Sequence, residues 1–175
     1  MFSEGVKKNS DKLIEIIAKD KRPEYRASAV FLLPYLMDGK KIIPPLVERI
    51  RDPDATVRNN ALRVLGDVAE FHPEFVIPVA PLITALNYPR SSDRSKSVYV
   101  IYMLASNSSS AREEILRDGV PNLLLLLEAK VPDQKEFSHN TLKKVSGKEF
   151  PINDITSWKN WFAKLKKDKG LPVKK

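Results

Sequence analysis

The chain has 175 residues, 42% hydrophobic and 30% charged, which describes a folded domain with a continuous core rather than a disordered segment. It contains no cysteine, which removes disulfide staples, thiolate zinc sites and cysteine nucleophiles. The formal charge is +8, but most of the excess falls in the last 25 residues, on Lys159, Lys164, Lys166, Lys167, Lys169, Lys174 and Lys175. That distribution describes a basic tail and not a basic groove.

A pattern recurs along the chain. Asp20 precedes Arg26 by six residues and Asp52 precedes Arg58 by six; Arg94 has Asn87 and Tyr88 at the matching places. Ile14, Leu46 and Leu82 lie twelve residues before each Arg, and Ala29, Ala61 and Ser97 lie three after. Arg-to-Arg steps of 32 and 36 predict stacked helical hairpins.

In chain order, Asn9 or Ser10 caps a helix whose apolar positions are Leu13, Ile14, Ile16 and Ile17. Lys21-Arg22-Pro23 turns the chain into a second helix, which Pro34 kinks or shortens and Asp38-Gly39 ends. Ile43-Pro44-Pro45-Leu46 opens the next hairpin, and Asp52-Pro53-Asp54 turns it. Its second helix runs from about Ala55 to Glu70, with Val57, Ala61, Val64, Leu65 and Val68 on one face. His72-Pro73 closes that unit. The third begins at Ile77-Pro78 and Pro81-Leu82, turns at Asn87-Tyr88-Pro89 and runs to about Ala105. A polar break at 107–110 precedes a stretched fourth unit, with Val120, Pro121 and Leu123 to Leu127 on its first helix and Phe137 to Val145 on its second. On a 44-residue step Ser138 takes the place of Arg94. The last helix, from about Asp154 to Lys167, carries Trp158, Trp161, Phe162 and Leu165 on one face and should seal the open end of the core.

The stretch Ile43 to Glu70 (IPPLVERIRDPDATVRNNALRVLGDVAE) closely resembles a HEAT repeat, with looser likeness over 77–105 and 10–37. The segment carrying Ser146, Gly147, Phe150, Asp154, Trp158 and Trp161 resembles the end of bacterial HEAT-repeat proteins, which end in a Trp-x-x-Trp helix. The resemblance implies an all-α solenoid of about four hairpins plus a C-terminal capping helix, in one domain spanning residues 1–175. Its repeats fall at about 10–39, 41–72, 76–106 and 111–146, with the cap at about 154–167 and a basic tail at 168–175. It also implies a ladder between repeats made by Asp20, Arg26, Asp52, Arg58 and Arg94, weakened where Tyr88 replaces the Asp.

No residue pattern points to catalysis. The two histidines, His72 and His139, stand 67 apart without metal-ligand spacing, and read as a helix-end residue and a surface residue. No glycine-rich phosphate loop or nucleophile elbow occurs. No cofactor is implied, and Asp52 and Asp54 read as turn and capping residues. The family implies protein–protein recognition, although a few HEAT-like proteins are enzymes.

Second helices usually line the concave side of such stacks. Transferring the solvent-facing positions of the second hairpin by the repeat steps predicts a partner-binding column of Phe31, Tyr35, Arg63, Asp67, Lys96, Tyr99, Tyr102 and Met103, suited to a peptide or helix. The alternative is a nucleic-acid or anionic-surface binder using Lys164 to Lys175 with Arg90, Arg94 and Lys96. With no membrane-length apolar run and no signal-like N-terminus, the expectation is a cytoplasmic, monomeric, non-enzymatic binding module.

Overall fold

A computed structural model describes residues 2–169; residues 170–175, most of the basic tail, lie outside it. The elements are α1 (Phe2–Lys8), α2 (Ser10–Lys19), α3 (Pro23–Val30), a 3-10 turn (Leu33–Leu36), α4 (Gly39–Arg49), α5 (Ala55–Phe71), α6 (Val79–Ala85), α7 (Ser91–Asn107), α8 (Ser109–Glu114), a π turn (Ile115–Gly119), α9 (Val120–Leu127), α10 (Pro132–Ser146) and α11 (Ile155–Lys169). Among the described residues there is no strand. Helices α2/α3, α4/α5, α6/α7 and α9/α10 form four hairpins, and the second helices stack in the order α3, α5, α7, α10. The fold is an α-solenoid with one core running through it, from Leu13 and Ile17 to Leu142 and Trp158.

Local chemistry sets the helix ends. The Asp54 carboxylate accepts from the backbone N–H of Thr56 (2.8 Å) and Val57 (3.0 Å), capping α5. Pro23 and Pro132 open α3 and α10, where a missing N–H costs nothing. Pro34 has no N–H for the carbonyl of Val30, and α3 is shortened to end at Val30, with Leu33, Pro34 and Leu36 in the separate 3-10 turn. Carbonyls near helix ends accept side-chain bonds from the next repeat. Asn60 donates to Ala27 (3.1 Å), Asn107 to Ala69 (3.0 Å) and Asn122 to Ile83 (3.2 Å), each in the last turn of its helix.

The stack is pinned by two arginines. Arg26 donates through Nε and Nη2 to both oxygens of Asp52 (2.9 and 2.7 Å) and through Nη1 to the Asp20 carbonyl (2.7 Å). Arg58 repeats the arrangement one unit on, with Nη1 on the carbonyls of Asp52 and Pro53 (2.8 and 3.0 Å) and Nε on Asp93 (2.9 Å). Each guanidinium therefore closes its own turn and holds the next repeat. The side chains of Asp52 and Asp93 are fully buried.

Several expectations are corrected. The carboxylate missing at Tyr88 is supplied by Asp93 in the first turn of α7, so the second rung is intact. The rung is lost one repeat later, where Arg94 reaches only the carbonyls of Tyr88 and Pro89 (2.6 and 2.7 Å). The Asp20 carboxylate takes no part in the ladder and instead holds Arg22 (2.9 Å), which lowers its pKa to about 2. Gly39 does not end the first unit but opens α4, with Asp38 as its cap (3.0 Å to the Lys40 N–H), so Pro44 and Pro45 lie inside the helix. A Cβ on Gly39 would meet the Phe75 ring at 2.8 Å, so that glycine serves close packing. A further helix, α1, precedes the repeats and buries Val6.

The fourth hairpin follows a step of 41, with Pro132 in the place of Ser91. On that register Ser138 matches the buried small residue Ser97 and Lys135 matches Arg94; Ser138 is no arginine replacement. Gln134 matches Asp93 and is likewise fully buried. Its amide donates to the Ser91 carbonyl (3.0 Å) and to the hydroxyls of Ser91 and Ser95 (2.8 and 3.0 Å), joining α10 to α7 with neutral hydrogen bonds. At the C-terminal end α11 packs on α9 and buries Trp158 completely, among the rings of Phe150, His139 and Trp161 at 5.1, 5.8 and 5.9 Å. His139 is therefore half-buried rather than free at the surface: its Nε2 donates to the Phe150 carbonyl (2.8 Å) beneath the cap.

Burial pushes the Asp52 carboxyl up, but hydrogen bonds from Arg26 and the Asp54 N–H, with the charges of Arg26 and Arg49, outweigh it and leave its pKa below the ordinary value. Such a group stabilises the fold above the ordinary aspartate range, and the contribution is lost as pH falls through the native value. Asp52→Ala is expected to cost about 3–5 kcal/mol, because it strands Arg26 in the interior. The stability gap between wild type and Asp52→Asn should be widest near neutral pH and should narrow on acidification below pH ~4; denaturant melts across that range check both.

Candidate functional site

Helix α5 buries Val57, Ala61, Leu62, Val64, Leu65, Val68 and Ala69, so Arg63, Asp67 and Glu70 emerge together on its outer side. Helix α7 buries Val98, Val100, Ile101 and Leu104, which leaves Lys96, Tyr99, Tyr102 and Met103 half-buried. The two faces meet where Gly66 lies under Tyr99: a Cβ there would approach the ring to 2.9 Å. Gly66 thus seats the tyrosine at the cost of one weak helix position. The Tyr99 hydroxyl donates to Glu70 (2.5 Å), and its ring meets Phe137 of α10 edge-on at 5.2 Å. Phe137 also faces Tyr102 at 5.5 Å.

These contacts frame a shallow depression of about 250 Å³, lined by Leu62, Arg63, Asp67, Ser95, Lys96, Tyr99, Asp133 and Phe137. Its charges are unsettled. Neither Arg63 nor Lys96 makes a side-chain hydrogen bond or ion pair. Burial and the like charge of Arg63 push the Lys96 pKa down, with Asp93 opposing them. Desolvation pushes the Asp67 carboxyl up; Arg63 opposes this and Glu70 adds to it. The bond to Glu70, with burial, raises the Tyr99 phenol to about 12.

Of the eight residues predicted from the sequence, Arg63, Asp67, Lys96 and Tyr99 line this depression. Tyr102 borders it through Phe137, and Met103 packs on the core. Phe31 and Tyr35 are exposed at 41% and 46%, at the end of α3 and in the 3-10 turn, and do not line it. Phe137 and Asp133 were not foreseen. A 41-residue step places Phe137 in the position of Lys96, and the predicted column did not extend into the fourth hairpin. A wider apolar groove of about 1060 Å³, also unforeseen, runs between α4 and the α5–α6 loop, past Met37, Ile43, Val47, Phe75 and Val76.

On α11, Lys164 and Lys167 are exposed and Lys166 lies over the Phe162 ring at 5.1 Å. Among the described residues no three His, Asp or Glu side chains gather as a metal site, and no helix is long and apolar enough to cross a membrane.

The family model for HEAT repeats matches residues 10–100. No curated protein matches the chain. Among solved structures, a designed armadillo repeat protein in complex with the peptide (KR)4 superposes with a TM-score of 0.68 at 15% identity, over 97% of this chain and 78% of that one. Computationally designed armadillo repeat proteins for modular peptide recognition give 0.68 at 16% identity, over 91% and 72%. An engineered protein gives 0.66 at 16% identity, over 87% and 67%. At these identities the likeness speaks for the fold alone.

Replacing Glu70 by Gln is expected to lower the Tyr99 pKa from about 12 towards its ordinary 10.0, read by phenolate absorbance against a Tyr99→Phe reference. Gly66→Ala should displace the Tyr99 ring and cost about 1–3 kcal/mol, checked by thermal melting.

Proposed function

The chain belongs to the HEAT-repeat family, and on that premise we propose that it is a non-catalytic scaffold that captures a protein partner by a peptide or helix laid along its stacked second helices. One observation carries the reading: the depression shared by α5, α7 and α10, where Arg63, Lys96 and Asp67 surround the rings of Tyr99 and Phe137. Aromatic rings with arginine form the composition of an interface anchor, where a few residues dominate binding. Armadillo-type neighbours are described with peptides, which agrees with this use of the fold. Phe31, Tyr35, Tyr102 and Met103 extend the proposed surface along the stack. The proposed protein acts as a monomer in the cytoplasm.

The partner of this scaffold should be retained from a source-cell lysate by the immobilised chain and lost from an Arg63→Ala, Tyr99→Ala variant of unchanged helicity. Equal retention by both forms would move the binding surface elsewhere. A variant that melts many degrees lower would assign Arg63 and Tyr99 to the packing.

A further inference from the structure

We infer that the occupant of this depression is an acidic peptide segment, one carboxylate of which lies between Arg63 and Lys96 while an apolar neighbour rests on Tyr99 and Phe137. The inference rests on the reading of this face as the partner-binding surface, and adds the chemistry of the partner.

The argument is one of unmatched charge. Four charged groups line the depression: Arg63, Lys96, Asp67 and Asp133. The two acids are each answered from within the chain. Asp133 lies in the first turn of α10, where the helix N-terminus favours a negative charge. Asp67 follows Arg63 by one helical turn, and that guanidinium is its favourable neighbour.

The bases are not both answered: Arg63 has Asp67 one turn away, and Lys96 has no acid of its own in the depression. Arg63 is shared between Asp67 and the like charge of Lys96. The acid whose charge acts on Lys96 is Asp93, which is buried and already holds Arg58 at 2.9 Å. Glu70, the remaining acid of this face, accepts from the Tyr99 hydroxyl. Lys96 is thus a half-buried ammonium that faces a second cation and has no anion of its own. A carboxylate entering from outside relieves both. Arg63 offers it a planar fork and Lys96 a point charge. The ring faces beside them are apolar, so the same segment gains by placing a Leu or Phe next to its acid. A basic segment would instead add a third cation to the site.

The test uses the intact chain and three fluorescein-labelled peptides of equal length and equal Leu and Phe content, with all other positions Glu, Gln or Lys, and in parallel a single-stranded oligodeoxynucleotide. Fluorescence anisotropy should rank the Glu peptide above the Gln peptide by about tenfold, with the Lys peptide weakest. Lys96→Gln and Arg63→Gln should each weaken the Glu peptide about five- to tenfold while leaving the Gln peptide unchanged. Lys164→Gln with Lys167→Gln, on α11, should change neither.

Tight binding of the Lys peptide, or a Glu peptide indifferent to Lys96 and Arg63, overturns the acidic assignment. If the Gln peptide then still depends on Phe137→Ala, the binding face itself survives. Binding of no peptide overturns both. An oligonucleotide that outcompetes the Glu peptide through Lys164 and Lys167 assigns the chain to nucleic acid instead.

Discussion

Arg26 and Arg58 each perform two tasks with one planar group. Nη1 closes the turn of the arginine's own hairpin by holding one or two carbonyls, and Nε reaches a carboxylate buried in the next hairpin. A guanidinium suits this work because its donors are fixed in a fork and it never loses its proton. Burying the pair is costly, and its worth lies in geometry: Asp52 is bonded through both oxygens and Asp93 through Oδ2, and a displaced neighbouring repeat would forfeit those bonds. In a solenoid each repeat touches only its neighbours, so the pitch of the stack is set at such contacts. The asparagines Asn60, Asn107 and Asn122 add neutral bonds of the same kind, each spanning from one repeat to the carbonyls of the last.

The face built by α5 and α7 depends on that pitch. With Arg58 holding Asp93, the two helices approach closely enough for the Tyr99 ring to lie on Gly66 and for its hydroxyl to reach Glu70. Arg63 and Lys96 then share one depression although 33 residues separate them in the chain. The third junction uses Gln134 in place of a carboxylate and carries no charge into the core, and it brings in Phe137 as the far wall. Stacking chemistry and surface chemistry therefore occupy the same helices at different positions of the turn.

Much of this was legible because local signals agreed. The Asp-Pro-Asp turn, the Arg at the fourth position of α3, α5 and α7 and the buried small residue three later locate the first three hairpins. Pro34 marks where α3 must stop. What escaped the sequence depended on distance in space. Tyr88 looked like a broken rung because the replacement carboxylate, Asp93, lies five residues on, in a helix turn rather than a loop. Pro44 and Pro45 looked like a helix start because proline favours that position, but Asp38 caps earlier and α4 carries both inside. The fourth hairpin was read three residues out of step, since its arginine is Lys135 and its polar anchor an amide. The candidate face was drawn from the first three hairpins, and on the 41-residue step Phe137 extends it into the fourth. His139 was assigned to the surface because nothing local shows that Trp158, nineteen residues later, closes over it.

The central claim is that the buried arginine–aspartate rungs, and not hairpin packing alone, fix how one repeat sits on the next. A double-mutant cycle on Arg58 and Asp93, with Arg58→Met and Asp93→Ala singly and together, measures it by equilibrium unfolding. The account predicts a coupling energy of about 1.5–3 kcal/mol, with the double variant more stable than the sum of the single losses allows. Additive losses, with coupling near zero, would contradict it.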